Sequence, residues 1–304
     1  MHLSADKIPI NYPAKLLLFG EYAVLMGMQA LAVPFTQFSG KFEYSESKQS
    51  KYDLSRFIEY LEKIEKKLTN KIDTERLSND IAKGLYFESG IPWNSGLGSS
   101  GALVAAIYQE YTLSNISWHE EFELPEIKND LGLMESCFHG KSSGFDPLVA
   151  LIQKPLLIDS ENNIKILPAI EYTNLPGIKF FLIKSKKSGK TGGLVGDFLS
   201  RLKEEDFAER FRAAYYKYSN HAIKYLLSRD KEKLFESFSK LSEFQFNQMS
   251  SLIPEDISKY FSLGLSSGNF SLKICGSGGG GYFLGITRDI QSLPEQLKKG
   301  IVLI

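Results

Sequence analysis

The sequence is poor in several features that would narrow its function at once. It holds two cysteines in 304 residues, Cys137 and Cys275. That is too few for a disulfide scaffold, and without a Cys-x-x-Cys pair there is no sulfur-based zinc signature. Neither sign of charge is in excess, with 36 Lys and Arg against 36 Asp and Glu. Nucleic-acid binders carry a basic excess, so no nucleic-acid partner is expected. No run approaches the ~20 apolar residues that cross a bilayer, so no membrane partner is expected either. Met1-His2-Leu3-Ser4-Ala5-Asp6-Lys7 lacks the apolar core of a secretory signal. No internal repeat or low-complexity stretch is visible, which sets solenoids and propellers aside. The expectation is a reduced, cytoplasmic chain, long enough for one large domain or two modest ones.

What is present is a mixed pattern of strands and helices. Ala14 to Phe19 is a short apolar run closed by Gly20, and Phe35 to Tyr44 alternates apolar with polar, so both read as strands. Asp53 to Thr69 reads as an amphipathic helix that Asp53 can cap, with Leu54, Phe57, Ile58, Leu61 and Ile64 at helical spacing. Residues 101–107 read as a small buried helix and 126–138 as another. Short apolar segments from Asp146 to Asp159, broken at Lys154-Pro155, suggest strands. A strand at Lys179 to Ile183, helices between about 190 and 265, and strands at 270–275 and 281–287 follow. Without regular strand-helix alternation the pattern is α+β. Turns at Asn162-Asn163 and Asn174-Leu175-Pro176-Gly177 suggest a division into 1–170 and 171–304.

Four segments carry chemistry. In Asn94-Ser95-Gly96-Leu97-Gly98-Ser99-Ser100, the glycines let backbone N–H groups point into a concave loop, and the helix that follows adds its positive N-terminal end. An anion suits such a loop, phosphate above all, although an ordinary turn into a buried helix capped by Ser99 or Ser100 has the same look. The Lys-Ser/Thr pair of a Walker loop is missing. Lys273 to Phe283 holds five glycines within 276–281, a heavy entropy cost that suits close approach of backbone to a ligand; a long flexible hairpin is the alternative. In Glu135 to Asp146, two carboxylates bracket a polar turn, as phosphoryl transfer to an alcohol requires: one carboxylate for magnesium, one for the attacking hydroxyl. Helix-face and turn-cap roles remain open for both. Lys15, in an apolar strand after Pro13-Ala14, either reaches out to water or pairs with a carboxylate such as Asp146.

Taken in order, these segments resemble the motifs of the GHMP kinases. Pro13 to Leu25 looks like the first motif, Gly96-Leu97-Gly98-Ser99-Ser100 the phosphate loop, and Gly276-Ser277-Gly278-Gly279-Gly280-Gly281 the glycine-rich third motif. Glu135 to Asp146 is similar to the mevalonate kinases within that family. The resemblance implies an N-terminal ribosomal protein S5 domain 2-like domain carrying the ATP and magnesium site, and a C-terminal ferredoxin-like α+β domain. It implies phosphorylation of a small-molecule alcohol by ATP with Mg2+, and allows a homodimer. Asp146 is then the base and Lys15 its catalytic neighbour, Asn94 to Ser100 hold the nucleotide phosphates, and Ser100 and Glu135 hold magnesium. Glu21, Tyr22, His139, Ser143, Gly144, Thr191, Gly278 and Gly279 are implied on the substrate side. Tyr22 stands where the mevalonate kinases usually have His, and the Gly-Glu-Tyr-Ala-Val run leans toward bacterial phosphomevalonate kinases. Asn94 replaces a usual glycine, which Asn tolerates because it accepts positive φ. Gly189-Lys190 replaces an Arg common before Thr191.

Overall fold

The computed structural model describes residues 10–114, 116, 120–161, 163–168, 175–187 and 191–304, the side chains of Leu25, His139 and Thr191 excepted. Asn162 and Asn174, which mark the turns expected near residue 170, lie outside the described residues, as does Ser188-Gly189-Lys190. The chain forms two compact units, and neither is a single consecutive segment. The first takes the chain up to Leu16, Val33–Trp93 and Leu97–Pro155; the second takes Leu17–Ala32, Asn94–Gly96 and Leu156–Ile304. Strands β1 (Tyr12–Phe19) and β2 (Ala30–Tyr44) each pass along the chain from one unit into the other.

In the first unit, β2 pairs antiparallel with β3 (Leu85–Ser89), Gly40 opposite Ser89 and Tyr44 opposite Leu85. Helix α1 (Leu54–Ile64) begins as expected: the Asp53 carboxylate accepts the Arg56 N–H at 3.0 Å, and Leu54, Phe57, Leu61 and Ile64 are buried. Asp73 caps α2 (Thr74–Ala82) in the same way, at 2.9 Å from the Arg76 nitrogen. Helix α3 (Ser99–Tyr111) is buried along most of its length and packs on α4 (Leu124–His139) and α5 (Phe145–Ile152). Small residues Gly101, Ala102, Ala105 and Ala106 permit that approach; a Cβ on Gly101 would stand 2.9 Å from the Pro147 nitrogen.

The segment after Asp146 corrects the sequence expectation, because residues 145–152 are helical and only Leu156–Ile158 (β4) is a strand. Helix α5 is buried at nearly every position, so its sequence lacks the 3.6-residue alternation that reveals a helix. Pro147 sits in its first turn, where a missing N–H costs nothing.

In the second unit, Ala30–Ala32 of β2 pair with β4, and β4 pairs with β5 (Ile164–Ile166), both antiparallel. A four-stranded antiparallel sheet has the order β7-β8-β6-β9, from β6 (Lys179–Lys184), β7 (Phe270–Ile274), β8 (Tyr282–Thr287) and β9 (Ile301–Leu303). Helices α6 (Thr191–Arg201), α7 (Glu205–Arg210), α8 (Lys217–Leu227), α9 (Lys231–Gln248) and α10 (Glu255–Ser267) fill the expected helical stretch, and α9 and α10 pack on β7. A π-helical turn, Phe211–Tyr216, joins α7 to α8. A short α11 (Glu295–Lys298) precedes β9. The architecture is α+β. Among the described residues no helix is long and apolar enough to cross a membrane.

Candidate active site

The first unit gathers a cation, two carboxylates and a helix N-terminus. Strand β1 carries Lys15 into the interior with 5% of its side chain exposed, and Lys15 Nζ lies 2.8 Å from Asp146 Oδ2, itself 33% exposed. The Lys15 backbone N–H donates to the Leu97 carbonyl at 2.9 Å, which ties the strand to the glycine turn. Gly98 holds φ 74 as the N-cap of α3, and a Cβ there would lie 3.5 Å from both Asp146 Oδ2 and Lys15 Cβ. The ion pair therefore abuts the turn from which α3 starts.

Asp146 is placed by Gly144. With φ 73, Gly144 starts α5 in a left-handed conformation, and a Cβ would overlap the Lys128 carbonyl. Ser142 Oγ accepts the Gly144 N–H at 3.1 Å and Ser143 Oγ the Phe145 N–H at 3.3 Å, so these serines shape the turn. Asp146 sits in the first turn of α5, where the helix end favours negative charge.

Glu135, on α4, is buried and accepts from Ser100 Oγ at 3.0 Å and Ser142 Oγ at 2.5 Å. Burial, and then the nearby Asp146 charge, push its carboxyl up to about 7, against the pull of the two serines and Lys15. A buried carboxylate held this far from its ordinary range fits a cation site. Among the described residues no group of three or more His, Cys, Asp or Glu side chains gathers for a metal. A divalent cation here would rest on Ser100, Glu135 and phosphate oxygens, as magnesium commonly does. Tyr52 donates to Ser99 Oγ at 2.8 Å and lines a polar groove with Lys48, Lys51 and Lys83.

The second unit holds the other expected residues. Asn94 has φ 52, consistent with Asn at a position that favours glycine. Ser95 accepts the Tyr282 N–H at 3.1 Å, and a Cβ on Gly96 would stand 3.2 Å from the Cys275 carbonyl, so Asn94–Gly96 runs beside the glycine-rich loop. Within that loop the Gly279 N–H donates to the Leu252 carbonyl at 2.7 Å. A Cβ on Gly278 would stand 2.9 Å from the same carbonyl. Tyr22, at φ 61, donates its hydroxyl to the Ser277 carbonyl and packs its ring 4.3 Å from Phe198. Burial raises its phenol, with Glu21 and Asp197 adding to the rise. The Glu21 side chain is wholly buried, and its two oxygens accept from Lys273 and Tyr215. Thr191 opens α6, and in the first unit His139 closes α4, but the side chains of both lie outside the described residues.

Sequence reasoning missed Ser142, Tyr52 and Lys273. For Lys273 the signal was available, since a lysine inside an apolar strand is what singled out Lys15. Chemically, the first unit offers an anion cradle at the α3 N-terminus, a cation and carboxylate in contact beside it, and a second carboxylate suited to a metal.

Comparison with known proteins bears on the fold. Residues 56–154 match the family model for the GHMP kinases N terminal domain. No curated protein matches the sequence. Among solved structures, the chain is similar to L. major mevalonate kinase in complex with R-mevalonate, at 14% identity and TM-score 0.63, over 96% of this chain and 89% of that one. It is similar to Lactococcus lactis galactokinase complexed with galactose, at 13% identity and TM-score 0.68, over 97% and 92%. It is also similar to Streptococcus pneumoniae phosphomevalonate kinase in complex with phosphomevalonate and AMPPNP, at 15% identity and TM-score 0.65, over 98% of each. The chain has the GHMP kinase fold and carries within it a GHMP kinase N-terminal domain.

Proposed function

We propose that the chain is a small-molecule kinase that transfers the γ-phosphoryl group of ATP to the hydroxyl of mevalonate, giving 5-phosphomevalonate, ADP and a proton. The observation that carries this is the 2.8 Å contact of Lys15 with Asp146 beside the Gly98 turn. Asp146 accepts the proton of the acceptor hydroxyl as its oxygen bonds to phosphorus. Lys15, in contact with Asp146, offsets charge on the reacting oxygens. The amides at the start of α3 receive phosphate oxygens, and the Tyr52 groove suits the rest of the nucleotide. Magnesium, when bound, neutralises phosphate charge; Ser100 and Glu135 would hold it. Positioning and charge supply most of the acceleration in such transfers. A cytoplasmic location and the functional division at residues 1–170 and 171–304 are parts of the same proposal.

A second acceptor, 5-phosphomevalonate, is favoured by a specific observation. Tyr22 replaces the usual His, and Lys184, Lys186 and Lys187 lie in the second unit as cations for a phosphorylated substrate. A catalytically silent relative is disfavoured by the intact Lys15, Asp146, Ser100 and Glu135. The test is ADP release from Mg-ATP with mevalonate, 5-phosphomevalonate, homoserine and galactose in turn. Release with mevalonate alone is expected. Release only with 5-phosphomevalonate moves the assignment to the second acceptor, and silence with all four contradicts both.

A further inference from the structure

Two ionisable side chains at the heart of the second unit take no part in the proposed chemistry. Glu21 and Lys273 are wholly buried and paired, and their surroundings complete them. Lys273 Nζ also donates to the Ile274 carbonyl at 2.8 Å. Tyr215 donates to Glu21 Oε2 at 3.0 Å, and Gln245 Nε2 donates to the Tyr215 oxygen at 3.3 Å. Gln245 Oε1 in turn accepts the Ile274 N–H at 2.7 Å. Tyr215 lies in the π-helical turn between α7 and α8, a rare feature that recurs at functional sites. As a source of stability a buried ion pair is poor, because desolvation offsets the attraction and an apolar pair of equal volume often does as well. What it does give is fixed geometry.

That geometry points at two loops. Glu21 directly precedes Tyr22, whose positive φ is unfavourable for a bulky residue. Lys273 is the penultimate residue of β7, two residues before Cys275, where the strand gives way to the glycine-rich loop. Tyr22 then donates to Ser277 inside that loop, so the two segments are joined at the base by the ion pair and at the top by a hydroxyl. A loop with five glycines in six residues has little conformational preference of its own. Its position must come from anchors.

We infer that Glu21 and Lys273, completed by Tyr215 and Gln245, are positioning residues that hold Tyr22 and the glycine-rich loop in a single conformation on which use of the acceptor alcohol depends. This rests on the kinase proposal, and it reassigns Glu21 from substrate contact to support.

The test uses the full chain with the neutral, shape-conserving pair Glu21→Gln and Lys273→Met. The expected result is an acceptor KM raised about tenfold or more, with nucleotide affinity within about twofold of the parent. Amide exchange at Gly279, Gly281 and Tyr282 should quicken about tenfold while that of α9 stays unchanged. Should the double variant fail to fold, Tyr215→Phe removes one donor to Glu21 and should give the same pattern at about threefold. A lower melting temperature with parental acceptor KM and parental loop exchange would overturn the inference and leave the pair a matter of stability alone. Exchange needs no turnover, so the two proposals fail separately. A loop that loosens in a chain inactive toward every acceptor supports the anchoring and sinks the kinase, whereas an unaltered loop in an active variant does the reverse.

Discussion

Glu135 carries a pH dependence that can be worked out from its surroundings. Burial and the Asp146 charge raise its carboxyl to about 7, while a divalent cation requires the ionised form. Magnesium affinity should therefore fall as pH drops through 7, approaching about tenfold per unit at pH 6 and below. Calorimetric titration of Mg2+ with nucleotide across pH 6 to 8 measures this, and Glu135→Gln should bind weakly at every pH. For stability the sign is opposite. A carboxyl raised in the folded state contributes stability below its unfolded value, near 4.3, and loses it as pH rises through 7. Metal-free Glu135→Gln should therefore melt above the parent at pH 8, and an unchanged or lower melting temperature there would contradict the burial argument. At this scale Lys15, Ser100, Glu135 and Asp146 were legible because charged side chains in apolar or glycine-rich settings are conspicuous. Ser142 was not, since a serine in a serine turn carries no signal of its own. The engagement of Glu21 was hidden because Lys273 lies 252 positions away.

Among the elements, α5 decides where Asp146 points, and Gly144 decides where α5 begins. Gly144→Ala forces a side chain into a left-handed position already filled by the Lys128 carbonyl, so a loss of about 2 kcal/mol or more is expected, read from chemical denaturation. Turnover should fall with it, because Asp146 lies two residues on, in the first turn of α5. Asp53→Ala removes the cap of α1 and should cost about 1 kcal/mol, read from the same denaturation. Helix α1 was readable because a half-buried helix alternates and its cap is a short acid. Helix α5, covered on all sides, shows the same continuous apolar run as a buried strand, and only its Gly144 start and Pro147 hinted otherwise.

For the whole molecule, the α+β class followed from irregular strand and helix order, and the paired antiparallel strands agree with it. The short returns of residues 17–32 and 94–96 to the second unit had no sequence mark, because their partners lie more than 100 residues away, as Ser95 and Tyr282 show. The proposed function depends on Lys15 and Asp146 acting as the centre of phosphoryl transfer. Steady-state turnover of Asp146→Asn with Mg-ATP and the parent's best acceptor, set beside nucleotide affinity by titration, tests that directly. Turnover should drop by about a hundredfold or more with nucleotide affinity within about threefold of the parent. Near-parental turnover would remove Asp146 from the reaction, and with it the assignment of this site.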